Sequence, residues 1–222
     1  MQFLLNGQYV ELSIDRVVNA GYAGCDQRDV KAHIDELAAI GVNVPKRTPT
    51  FYPVPVMQLT RGGNIQVGHG QTSAEIEYVY IQVQGKRFIS VGSDHSDRAL
   101  EAYSVNAAKQ ICPDLVAAEV WDYDEVADHF GELMLTCEVY DKGEWRVYQQ
   151  GPVSELLPPE ELLKLGAPLT SGKKGLALYS GTIPTIGEIT YARQWRITLC
   201  DRQMDRTISF EYTVEILPEC IE

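Results

Sequence analysis

The chain has 222 residues, 45% hydrophobic and 23% charged, with 31 Asp and Glu against 19 Lys and Arg for a formal charge of −12. An apolar content this high excludes a disordered chain, and 18 glycines without a three-residue period exclude a collagen-like one. The acidic balance repels phosphate backbones and anionic lipid, and no basic stripe offsets it, so neither nucleic acid nor a membrane is expected as a partner.

The longest apolar runs are far too short to cross a bilayer. The start MQFLLNGQYVELSID lacks the basic region and long apolar core of a signal peptide, so a cytoplasmic protein is expected. The cysteines, Cys25, Cys112, Cys137, Cys200 and Cys220, are odd in number and form no CxxC pair, which points to reduced thiols. Cys112 before Pro113 reads as a buried small hydrophobe.

Residues 3–15 are predicted to form two short strands around Asn6-Gly7, a strong hairpin signal between apolar runs. A helix follows over DVKAHIDELAAIG, where Val30, Ile34, Leu37 and Ile40 share a face, Asp26 or Asp29 caps the start and Gly41 ends it. Pro45, Pro49, Pro53 and Pro55 then enforce an extended surface run. Residues 1–50 are read as a small N-terminal cap and 51–222 as a β-rich domain. In the latter, EIEYVYIQV and RFISVG flank the turn QGK. A helix is predicted over 97–110, with Leu100, Tyr103 and Ala107 on one face, and a shorter one over 124–130. LMLTCEVY and WRVYQQG form a hairpin around DKGE, LPPEELLKL is a Pro-started helix, and GLALYSG, QWRITLCD and ISFEYTVEIL are strands. No βαβ alternation recurs, so the fold class is α+β, predominantly β.

Glu75 and Glu77 stand two apart on a strand and therefore project from one face. Two adjacent carboxylates fit either a solvated edge or a hard divalent cation, Mg²⁺, Mn²⁺ or Ca²⁺. Asp94, at the end of the strand that the QGK turn brings back, offers a third oxygen. His33 and Glu36, at i and i+3, share a helix face; His69 competes as a base, His95 lies beside Asp94, and His129 reads as surface. Tyr103, about a turn beyond Arg98, lines either a pocket or the core.

In order, TSAEIEYVYIQVQGKRFISVGSDHSDR, AAKQICP, LMLTCEVYDKGEWRVYQQG and LALYSGTIPTIGEI, over about residues 50–190, resemble the fumarylacetoacetate hydrolase superfamily. That family carries a strand E-x-E, an N-D-x-S-x-R-D motif, a Lys before Cys-Pro, a hairpin with a short polar turn and a late S/T-G-T-P loop. The resemblance implies a mixed β-roll, a metal held by Glu75, Glu77 and Asp94, and substrate oxygens bound by Lys109. Ser96 and Arg98 match the S and R of the motif, and Ser180, Gly181 and Thr182 match the loop that meets the substrate carboxylate. It further implies a His–Glu base on a lid, for which His33 and Glu36 are the candidates, and a homodimer. Ser93 replaces the motif's Asn, Ala99 replaces its last Asp, the Lys-to-Cys-Pro spacing is shorter, and Ile183 separates Thr182 from Pro184, which marks a divergent branch.

The expected activity is metal-dependent hydrolysis of a carbon–carbon bond in a small anionic keto or enol acid, such as an acylpyruvate, with the metal stabilising the enolate. Lys109 and Arg98 would offset the substrate carboxylate, with Thr182 donating a hydrogen bond. Decarboxylation, tautomerisation or hydration at the same site, or a non-catalytic metal-containing binding domain, are the other readings.

Overall fold

A computed structural model of the chain describes residues 1–28, 30–31, 34–35, 45–172 and 174–221. The larger of its sheets runs in the order β2 (Gln8–Glu11), β1 (Gln2–Leu5), β12 (Glu119–Asp122), β9 (Lys86–Asp94), β8 (Ile76–Val83), β15 (Gly175–Tyr179), β3 (Arg16–Gly21), β4 (Thr50–Val54). β9 also pairs with β11 (Asp114–Val116), which takes β5 (Leu59–Arg61) in parallel on its far side. A second sheet has the order β14 (Glu144–Pro152), β13 (Met134–Asp141), β16 (Gln194–Asp201), β17 (Arg206–Ile216), β6 (Gly63–Val67). A short ladder joins β7 (Thr72–Ser73) to β10 (Ser96–Asp97).

Side-chain alternation explains how these sheets pack. Tyr78 and Tyr80 of β8, with Ile89 and Val91 of β9, face Leu135, Trp195, Ile197 and Tyr212 of the second sheet in one core. The opposite face of β8, Val79 and Ile81, meets Phe3, Val17, Leu59, Phe88, Val116 and Tyr179 in another. That second cluster joins strands from distant places in the sheet order, so the larger sheet curls around it as a roll. β8 is buried on both faces, which is why its sequence is a near-continuous apolar run. The predominantly β, α+β fold expected from the sequence is the one observed.

The turns follow their residues. Asn6 and Gly7 (φ 49° and 77°), Gln84 and Gly85 (51° and 82°), and Lys142 and Gly143 (52° and 91°) make tight two-residue hairpin turns. β4 is an edge strand and tolerates Pro53 there.

Several expectations need correction. β1–β3, within the segment read as an N-terminal cap, pair with the larger sheet: β1 adds in parallel to β12 and β3 to β15, and an isolated two-stranded hairpin such as β1–β2 would be marginal by itself. The helix over 97–110 is two, Arg98–Glu101 and Val105–Ile111. Asp97 caps the first by accepting from Leu100 N, and Ser104 caps the second by accepting from Ala107 N, with its own backbone extended at φ −159°. A capping serine in mid-run competes with the helix for its own backbone groups and restarts it. The segment 124–130 forms 3₁₀ turns, and His129, expected at the surface, is buried with Nε2 3.0 Å from Asp201 Oδ1. His33 and Glu36 lie outside the described residues. No helix among the described residues is long and apolar enough to cross a membrane.

Gly92 stands opposite Glu77 across the β8–β9 ladder. A Cβ there would collide with the Leu115 carbonyl oxygen, with Val79 Cγ2 at 2.8 Å and with Tyr179 Cε1 at 2.9 Å. Gly92→Ala is therefore expected to cost about 3 kcal/mol or more, since backbone cannot yield as a flexible side chain does. A denaturant midpoint within error of wild type would show that β11 is not packed against β9 as described.

Candidate metal centre

The β8–β9 hairpin builds the acidic cluster. Glu75 and Glu77 lie on the side of β8 that carries Val79, and Asp94 N donates to Glu75 O across the ladder at 3.1 Å. Oxygens of Glu75, Glu77 and Asp94 fall within 4.8 Å of one another. Glu77 and Asp94 are buried, while the Glu75 side chain keeps 12% exposure and marks the open side.

Each carboxylate is aimed by a neighbour. Gly181, at φ 84°, donates its N–H to Glu77 Oε2 at 2.8 Å. Ser180 N donates to Tyr78 O at 3.2 Å, so the chain after β15 continues along β8 and carries Gly181 to Glu77. Ser96 Oγ donates to Glu75 Oε2 at 3.2 Å. Lys109, buried in the helix Val105–Ile111, places Nζ 3.0 Å from Glu75 Oε2 and in contact with Asp94 Oδ2.

Arg98 donates through Nη1 to Glu75 Oε1 at 3.0 Å and Glu101 Oε2 at 2.8 Å, and through Nε to Ser73 Oγ at 2.8 Å. Its guanidinium thus clamps Glu75. Thr182 Oγ1 donates to Ile76 O and accepts from Gln149 Nε2, both at 2.8 Å. Ser180 Oγ donates to Gly181 O at 2.7 Å. The 180–182 loop is therefore bonded to β8 and to Glu77. Tyr103, 83% exposed, stands outside the cluster. His69 donates from Nε2 to Asp97 Oδ2 at 2.9 Å while Nδ1 accepts from Gln71 N at 3.1 Å. His95 is fully buried between Thr72 and Tyr212, and burial holds its imidazole down at about 3, hence neutral.

Three groups that sequence reasoning missed complete the surroundings. Asp114 sits opposite Asp94 in the β9–β11 ladder and accepts from Asn19 Nδ2 at 3.0 Å. The Tyr52 ring lies 6.0 Å from Lys109 Nζ. An Asn inside the apolar strand RVVNAG and an Asp opening the apolar strand DLV were the available signals, since buried polar residues demand partners.

The charges do not titrate alike. Burial alone would raise Glu75, but Arg98 and Lys109 overcome it and hold the carboxyl at about 2. Glu77 is pushed well above the usual carboxylate range by burial and by Asp94. Asp114 is pushed up by burial and then by Asp94. Burial would lower Lys109, yet Asp94 and Glu75 raise it further, so its ammonium stays charged. Burial lifts the Cys112 thiol to about 12, which makes it inert.

The residues fit a hard divalent cation. The set is all oxygen, and Asp94 Oδ1 is buried without a hydrogen-bond partner.

No curated protein matches the chain by sequence. Among solved structures, that of Cg1458 superposes with a TM-score of 0.64 at 13% identity, covering 93% of this chain and 77% of the other. The 2-keto-3-deoxy-D-arabinonate dehydratase complexed with magnesium and 2,5-dioxopentanoate gives 0.64 at 17% identity, covering 91% and 74%. The 4-oxalocrotonate decarboxylase from Pseudomonas putida G7, complexed with calcium and acetate, gives 0.53 at 16%, covering 89% and 76%. At such identities the likeness is one of fold, and that fold is the fumarylacetoacetate hydrolase type anticipated from the motifs. A sequence profile for a family described as "Protein of unknown function (DUF2848)" matches residues 20–212, and the chain belongs to that family.

Proposed function

We propose that the chain is a divalent-metal-dependent enzyme of a small 2-keto or enol acid, hydrolysing an acylpyruvate-like carbon–carbon bond. One observation carries this reading: three carboxylates converge within 4.8 Å, one with a partnerless buried oxygen, beside a charged, buried lysine. Solved relatives of the same fold that bear the names of a keto-acid dehydratase and a decarboxylase, with magnesium or calcium bound, support it.

A bound Mg²⁺, Mn²⁺ or Ca²⁺ would supply Lewis acidity toward the keto oxygen. The chain supplies the rest. Ser96 and Arg98 fix Glu75, and the Gly181 N–H fixes Glu77. Lys109 has three N–H donors, of which Glu75 and Asp94 take two, leaving one for a substrate oxygen. Its raised pKa makes it a fixed positive charge and not a base. Hydrolysis needs a base to activate water, and His33 with Glu36 is proposed for it.

A second reading, decarboxylation, tautomerisation or hydration, draws on the engagement of both His69 nitrogens, which takes the competing base out of play. Steady-state turnover of acylpyruvates and of oxaloacetate with Mg²⁺ or Mn²⁺, against EDTA-treated protein, tests both. Glu77→Ala is expected to lose metal and on the order of a thousandfold in turnover, several kcal/mol of transition-state stabilisation. Retention of metal and activity would overturn the site. If His33→Ala abolishes hydrolysis and spares decarboxylation, the dyad stands; unchanged hydrolysis removes it.

A further inference from the structure

Gln149 carries a primary amide into the core, and an irregularity in β14 puts it there. The β13–β14 register pairs Cys137 with Gln149 but Glu138 with Val147, which leaves Tyr148 as an extra, unpaired residue. Regular alternation would send Tyr148 and Gln149 to opposite faces, yet across this bulge both are buried, while Val147 and Gln150 on either side are exposed. The Tyr148 carbonyl accepts from Ile186 N at 2.7 Å, and the backbones of Gln149 and Thr185 form a bridge. The bulge therefore also anchors the loop that follows Gly181.

Every polar group of the buried amide is engaged. Gln149 Oε1 accepts from Ile76 N at 3.1 Å, and Nε2 donates to Thr182 Oγ1 at 2.8 Å and to Ile183 O at 2.5 Å. A backbone N–H only donates and a carbonyl only accepts, so these partners fix which end of the amide is oxygen. Thr182 Oγ1 in turn donates to Ile76 O. The hydrogen bonds thus close a ring that runs from Ile76 N through Gln149 and Thr182 back to Ile76 O. Ile76 is the residue between Glu75 and Glu77, so the ring grips both polar groups of the backbone that aims the two carboxylates. Through Thr182 and Ile183 it also grips the loop whose Gly181 N–H meets Glu77 Oε2.

We propose that Gln149 is a positioning residue of the metal centre, acting through the backbone of Ile76 and the 181–183 loop and not through contact with the ion. The second sheet, by way of the bulge, sets the spacing and direction of Glu75 and Glu77. Only an amide fits the position: an ionised Glu has no donor for Thr182 or Ile183, and a hydrocarbon leaves the buried Ile76 N–H stranded. This rests on the metal reading above, and the experiment separates the two.

Calorimetric titration of the full chain with Mg²⁺ tests the proposal, alongside thermal melts in EDTA that report folding. Gln149→Met keeps the length of the side chain and removes all its hydrogen bonds; it is expected to bind Mg²⁺ about tenfold or more weakly than wild type. Thr182→Val opens the ring at its other member and is expected to lose a similar factor. The double variant should be no weaker than the weaker single one, because the ring opens only once. Ile208→Ala, buried in the same core on β17, lowers the melt without touching the ring and is expected to bind Mg²⁺ as wild type does. Wild-type affinity in Gln149→Met, multiplied losses in the double variant, or an equal loss in Ile208→Ala overturns the role of Gln149 and leaves the metal centre standing. If Gln149→Met fails to fold, Thr182→Val against Ile208→Ala decides the same question. Failure of wild type to bind Mg²⁺ overturns the metal reading and the role of Gln149 with it.

Discussion

Lys109→Met is expected to melt on the order of 10 °C below wild type in EDTA and to recover most of that difference in Mg²⁺. The side chain is buried and lies against Glu75 and Asp94. Removing one partner of a buried ion pair strands the other, at about 3–5 kcal/mol, and in a chain of this length each kcal/mol moves the melting temperature by about 2–4 °C. A divalent ion among the same oxygens replaces the missing charge.

The variant should also bind Mg²⁺ about tenfold or more tighter. An ammonium about 4 Å from a divalent ion repels it by roughly 2 kcal/mol even at the dielectric of water. Lys109 and the metal thus draw on the same two carboxylates. Calorimetry and thermal melts read both effects. An unshifted melt in EDTA would contradict the cluster; weaker Mg²⁺ binding would mean that Lys109 arranges the ligands more than it opposes the ion.

Magnesium binding should release protons and weaken as the solution is acidified. Glu77 is held well above its ordinary value by burial and by Asp94, whereas a cation favours the ionised carboxylate, so the proton leaves as metal enters. Titration in buffers of different ionisation enthalpy gives the count. The same shift sets the stability of the metal-free protein. Above the unfolded pKa of roughly 4.3, the folded chain keeps a proton on Glu77 that the unfolded chain has lost, so stability falls as pH rises. Glu75 acts with the opposite sign: held at about 2, it contributes stability that is fully present above the unfolded pKa and lost as pH falls toward 2. Metal-free protein should therefore be most stable at mildly acidic pH, and Mg²⁺ should flatten the decline above it. Zero proton release would show that Glu77 is already ionised without metal.

Much of the centre was legible because it is local. E-x-E on one strand, a two-residue turn and Asp94 on the next define a hairpin whose geometry follows from strand alternation alone. Lys109 was legible through the motif. What was not legible depends on pairings between distant segments. Asn19 reaches Asp114 because β3 joins β15 while β11 returns to β9 inside the roll, and nothing in either segment encodes that meeting. The hydrogen bonds of Arg98 to Glu75 and Glu101, and of Ser180 and Thr182 to backbone carbonyls, likewise depend on where the fold sets these groups, since a buried donor takes the acceptor within reach.

The three carboxylates and both cations of the cluster occupy residues 75–109, one unbroken stretch of chain. The Asn19 and Tyr52 side chains that border them come from earlier strands. Substitutions before residue 55 therefore reshape the border of the charge centre without removing a charge from it.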